Sequence, residues 1–95
     1  MYVVVRTYTG AGAKQLFDIF EERKEDLEAA LQHVRGLMSY TLARSEDGGV
    51  AVTICRDKAG AHESVRVAKE WIEKNAAGVS TNRPELSEGA VIIHI

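Results

Sequence analysis

The spacing of hydrophobic positions changes repeatedly along this chain, and each change marks an element. Tyr2 to Thr9 is dense in β-branched and aromatic residues, the make-up of a strand, and Gly10-Ala11-Gly12 breaks it. From Ala13 to Arg35 the apolar residues Phe17, Phe20, Leu27, Leu31 and Val34 recur at steps of three and four, interrupted at Lys24, with Leu16 and Ala30 widening the stripe. The pattern predicts one amphipathic helix of about six turns, stopped by Gly36. Its outer face (Glu21, Glu22, Glu25, Asp26, Glu28 beside Arg23 and Lys24) reads as a solvated surface rather than an acidic binding patch. Leu37 to Arg44 and Val50 to Arg56 then alternate about Ser45-Glu46-Asp47-Gly48-Gly49, which predicts a hairpin with a three-residue loop and Gly48 in the left-handed position. That register sets Leu42 opposite Val52 and Tyr40 opposite Ile54. Met38, Tyr40, Leu42, Val50, Val52 and Ile54 then form an apolar face beneath the helices. Asp57 is placed to cap a second helix running to about Asn75, with Ala61, Val65, Ala68 and Ile72 as its inner stripe, flanked by Val67 and Trp71. Ala76 to Gly89 reads as a loop holding the only proline, Pro84, and Ala90 to Ile95 as a closing strand.

Two consecutive β-α-β units with short connections predict a single α+β domain over residues 1–95. Its four-stranded antiparallel sheet has the order 4-1-3-2, with both helices on one face by the right-handed crossover rule. The closing strand is apolar on both sides, so the face away from the helices needs a cover. A second copy of the sheet is the simplest one, and a homodimer is expected.

Composition narrows the chemistry mainly by exclusion. The chain is 45% hydrophobic and 27% charged with a formal net charge of −2, which gives no electrostatic reason to expect nucleic acid or an anionic membrane. Cys55 is the only cysteine, so neither an intrachain disulfide nor a thiolate metal cluster can form, and a cytoplasmic location is expected. No apolar run approaches membrane length. No two histidines have ligand spacing, so neither a metal nor another cofactor is expected. Gly10-Ala11-Gly12 lacks the rest of a phosphate loop and reads as a turn.

The run from Gly36 through Tyr40, Leu42, the Ser-Glu-Asp-Gly-Gly turn and Val52-Thr53-Ile54, followed by Asp57-Lys58-Ala59-Gly60 and a helix containing Trp71, resembles a known family. It is similar to the dimeric α+β barrel proteins of the antibiotic-biosynthesis monooxygenase type, along essentially the whole chain. The resemblance implies a ferredoxin-like βαββαβ fold that dimerises through the sheet face as an α+β barrel. The family spans cofactorless oxygenases of aromatic polyketides, haem-degrading enzymes and many small proteins without an assigned activity, which this chain looks most like. Haem-degrading members carry an asparagine on the first strand, a tryptophan on the second helix and an axial histidine about ten residues beyond it. Trp71 matches the tryptophan, but the first strand offers Arg6 and Thr7, and no histidine lies near Thr81, so haem binding is not implied.

No catalytic residue follows from the sequence. Trp71 and Tyr40 are the candidates for lining a pocket between helices and sheet, where an indole stacks on a planar ligand and a phenol anchors or protonates it. Each is also an ordinary core residue. His94, Arg6, Thr41 and Thr53, with Ser39 and Cys55, could instead form a polar lining inside a dimer barrel, binding a small anion or satisfying itself. His62 and His33 fit solvent and a helix end. Cys55 reads as a buried inert thiol. Two functions stay open: a cofactor-independent, monooxygenase-like enzyme acting on a small aromatic substrate, and a non-catalytic dimer that binds a metabolite or a protein partner.

Overall fold

The computed structural model describes all residues, Met1–Ile95, and builds the expected α+β architecture. The elements are β1 (Tyr2–Tyr8), α1 (Ala13–Glu22), α2 (Lys24–Leu31), β2 (Leu37–Ser45), β3 (Gly48–Cys55), α3 (Lys58–Asn75) and β4 (Glu85–Ala90). The sheet runs β2-β3-β1-β4 with every neighbouring pair antiparallel, the predicted order read from the other edge. Asp57 caps α3 as expected, its side chain accepting from the Gly60 N–H at 2.8 Å.

Four expectations need correction. The single long helix is two, broken at Arg23, whose backbone leaves helical geometry (φ −116°, ψ 31°). The polar run Glu21–Asp26 offers no apolar side chain to hold that turn against the sheet. The chain therefore re-aims, with α1 lying on β3 and α2 against α3. The closing strand is also misplaced. β4 takes Glu85–Ala90, and Ile92, Ile93 and Ile95 lie beyond it, largely exposed. Pairing with β1 is exhausted there: Tyr2 faces Ala90, and only the Val91 N–H reaches back to the Met1 carbonyl at 3.0 Å.

The third correction is the most consequential. The hairpin turn is two residues, Glu46 and Asp47, between the paired Ser45 and Gly48, so Leu42 faces Ala51 and Tyr40 faces Thr53. Side chains alternate with period two, so shifting the register by one residue turns β3 over. Gly49, Ala51, Thr53 and Cys55 lie buried under the helices, while Val50, Val52 and Ile54 join Val3 and Val5 on the open face. Met38 drops out as a bulge between Leu37 and Ser39 and is half exposed. Small residues are needed on the inner side of β3: a Cβ on Gly49 would sit 2.2 Å from Cε2 of Phe17.

The fourth concerns α3, whose inner stripe is rotated: Ala61, Ser64, Ala68 and Trp71 are buried and Val65 and Ile72 only partly so. The core gathers Val4, Tyr8, Leu16, Phe17, Phe20, Leu27, Leu31, Val34 and Trp71 between helices and sheet. Phe17, Phe20 and Tyr8 meet edge to face there, with Phe17 and Phe20 centroids 5.0 Å apart.

Candidate functional site

The small inner residues of β3 leave room above the middle of the sheet, and Arg6 fills it. On β1 the alternation sends Val4, Arg6 and Tyr8 toward the helices, and Arg6 is only 3% exposed. Its Nη1 donates to the Tyr8 hydroxyl at 2.7 Å and its Nη2 to the Tyr40 hydroxyl at 2.5 Å, across β3. No carboxylate lies within ion-pair distance of it. Its Nε is buried without a partner, as is Oγ1 of Thr53, on the same face of the sheet. Burial pushes both phenols above the ordinary tyrosine range, and the Arg6 guanidinium opposes that shift. Both stay protonated near neutrality. Each oxygen accepts from Arg6 and keeps its own O–H free to donate elsewhere.

Clefts open on either side of this cluster. The first, about 310 Å³, is walled by Phe17 and Phe20 of α1, Leu27 and Leu31 of α2, and Tyr40 and Leu42 of β2, with Glu21, Lys24, Glu28 and Arg44 also lining it. Arg44 is held there by Asp18 at 3.1 Å and Glu21 at 2.9 Å. The second, about 610 Å³, lies between α3 and residues 81–86, with Arg6 and Tyr8 on the β1 side.

The residues singled out from sequence separate. Tyr40 lines the first cleft. Trp71 lines neither: it is 6% exposed, packs on Phe20 at 5.9 Å between centroids and donates from Nε1 to Oδ2 of Asp26 at 2.9 Å. The grouping of His94, Arg6, Thr41 and Thr53 on one surface is corrected. Arg6 and Thr53 point to the helices because β1 and the re-registered β3 turn them there. Thr41 stays on the open face and is exposed, and His94 lies in the exposed tail beyond β4. Ser39 shares the open face; Cys55 is buried on the inner one, where burial raises its thiol pKa.

Sequence reasoning did not place Tyr8 in the site. Its alternation with Arg6 on β1 is the signal that could have done so. A smaller exposed cluster was missed as well, in which the Tyr2 hydroxyl donates to Oε1 of Glu88 and Nε2 of His62 meets the same oxygen, both at 2.8 Å. The hydrogen bond from His62 and then that from Tyr2 hold the Glu88 carboxyl below its usual range. It lies at the β4 edge, where it ties α3 to the sheet.

Neither a protein-family model nor a curated protein matches the chain. Solved structures do. A monooxygenase of Streptomyces coelicolor, determined in complex with nanaomycin D, is 16% identical over 98% of this chain and 92% of its own, with a TM-score of 0.62. The chain has the antibiotic-biosynthesis monooxygenase fold. A Caulobacter crescentus protein provisionally named as such a monooxygenase has a TM-score of 0.69 at 18% identity, covering 97% of this chain and 90% of its own. A Nitrosomonas europaea protein of unknown function has a TM-score of 0.71 at 14% identity, with 99% and 90% covered. At such identities the antibiotic-biosynthesis monooxygenase likeness is one of backbone path, and the side chains above are this chain's own.

Proposed function

We propose that the protein is a cofactor-independent, monooxygenase-like enzyme that takes a small phenolic aromatic substrate into the cleft between α1, α2 and β2. One observation carries this reading: the only hydroxyl lining that aromatic and aliphatic cleft is Tyr40, and it accepts from a buried guanidinium. A cation bound to the phenol oxygen polarises the O–H, making it a stronger donor without ionising it. Such a donor suits the oxygen of a ring on which enolate charge develops as the CH₂ loses a proton, before that electron density passes to dioxygen. For an anthrone the balance is CH₂ + O₂ → C=O + H₂O: the ring carbon supplies the electrons, one oxygen atom enters the product and the other leaves as water. Tyr40 here is a hydrogen-bond donor and Arg6 positions it. The nanaomycin D complex of the Streptomyces coelicolor protein, on the same fold, supports an aromatic ligand class.

The test is dioxygen uptake with 1,8-dihydroxyanthrone in chelator-treated buffer. The expected result is protein-dependent uptake equal to the quinone formed, with kcat lowered about 10²-fold or more by Tyr40→Phe. Equal rates for Tyr40→Phe and wild type would remove Tyr40 from the reaction. No protein-dependent uptake, with the anthrone still bound, would favour a binding protein.

We also propose that a second copy of the chain covers the open face. Val3, Val5, Val50, Val52 and Ile54 lie together on it, and no helix of the chain packs there. The exposed isoleucines beyond β4 add apolar surface to the same need.

A further inference from the structure

We infer that the cleft between α3 and residues 81–86 is a second binding site, for a carboxylate carried on an apolar body, with Arg6 as the buried counter-charge. A guanidinium removed from water is strongly disfavoured unless it is paired, and in proteins buried charges are matched by a partner of opposite sign. Arg6 has two neutral phenols and an orphaned Nε instead. Tyr8 cannot supply the missing charge, because burial keeps it protonated.

The cleft fits that deficit. Its charged lining is Arg6, Lys69 and Arg83 against Glu73 alone, a positive balance on a chain whose net charge is −2. Thr81 and Asn82 add neutral polar groups beside the cations. The remaining wall, from Val65, Ile72, Pro84 and Leu86, is apolar. Leu86 is 48% exposed here, large for an aliphatic side chain on a paired strand, and a bound apolar body would cover it. Three cations and one carboxylate set among aliphatic side chains, with Leu86 the cross-strand neighbour of Arg6, describe a site for an amphipathic anion rather than inorganic phosphate or a neutral ring. The two clefts are distinct but linked through Arg6, which also holds Tyr40, so this site is tested by binding alone, without the oxygenation chemistry.

The probe is 2-naphthoate, compared by titration calorimetry with 2-naphthamide, which has the same ring and no charge. Wild-type protein should bind the acid about tenfold or more tightly than the amide, the ratio one charge-assisted hydrogen bond supplies. Arg83→Gln should reduce that preference and Arg6→Gln abolish it. In wild type, the acid and not the amide should shift the Arg6 Nε–H resonance and the backbone amides of Thr81, Asn82 and Arg83. Equal affinity for the two probes would overturn the inference. So would a preference that survives Arg6→Gln, or acid-induced shifts confined to Leu27, Leu31 and Leu42 in the other cleft. Should Arg6→Gln fail to fold, the wild-type spectra decide the question alone.

Discussion

Removing the Trp71 indole tests how the second helix is held. Trp71 is the one side chain of α3 that reaches α2 with a hydrogen bond, from Nε1 to Asp26, while its ring tilts against Phe20 of α1. Trp71→Phe keeps most of the packing and deletes the bond. A hydrogen bond to a charged acceptor is worth about 1.5–3 kcal/mol, and since Asp26 is exposed its carboxylate regains water without penalty, so the lower figure applies. Trp71→Ala adds a cavity and should cost about 3–5 kcal/mol, a large share of the about 5–15 kcal/mol that holds a domain together. With a urea m value of about 1–3 kcal/mol/M, Trp71→Phe should lower the unfolding midpoint by about 0.5–1.5 M. Asp26→Ala deletes the same bond from the other end, and the double variant should cost less than the sum of the two. Strict additivity in that cycle would refute the hydrogen bond as a stabilising contact in solution.

Gly49→Ala should unfold or severely destabilise the protein in a thermal melt, because the new methyl meets the Phe17 ring and the Ala43 carbonyl; a wild-type melting temperature would mean that Phe17 does not lie over β3. Tyr8 and Tyr40 have raised folded-state pKa values, so their contribution is intact below the ordinary tyrosine pKa of about 10 and is lost as pH rises above it, when the unfolded chain ionises first. Tyr40→Phe should flatten that alkaline loss in urea midpoints measured from pH 8 to 11, and an unchanged slope would count against burial of the Tyr40 hydroxyl. Val52→Asp should convert a dimer to monomers of 10.4 kDa in sedimentation, whereas a wild type that already sediments as a monomer at high micromolar concentration would dispose of the second-copy proposal.

Element types and sheet order were legible because they rest on long repeated signals. The steps of three and four among Phe17, Phe20, Leu27, Leu31 and Val34 mark helix even though the helix breaks at Arg23, and the Asp57 cap and the hairpin alternation agree with the same order. What failed depended on single residues. One residue fewer in the Glu46-Asp47 turn turned β3 over, and alternation alone is symmetric between faces, so Val50, Val52 and Ile54 could not be distinguished from inward positions by their hydrophobicity. Arg6 was legible as a polar residue on a hydrophobic strand, but its face depends on that same register. The closing strand was drawn to Ala90–Ile95 by composition. Backbone pairing with β1 instead selects Glu85–Ala90, whose exposed side chains carry little strand signal. Trp71 and Ser64 lie off the predicted inner stripe but are buried, because α3 packs against α2 as well as against the sheet.

The overturned third strand also changes what unfolding can measure. With glycine, alanine and threonine turned inward and valine and isoleucine outward, a lone chain withdraws less hydrocarbon from water than its composition suggests. Both the heat-capacity increment of melting and the denaturant sensitivity scale with the surface newly exposed. A solitary chain would therefore melt with a shallow, broad transition, and a paired one with a steeper transition whose midpoint climbs with protein concentration. Calorimetry across a dilution series thus reads whether a second copy covers that outward face, without any substitution in it.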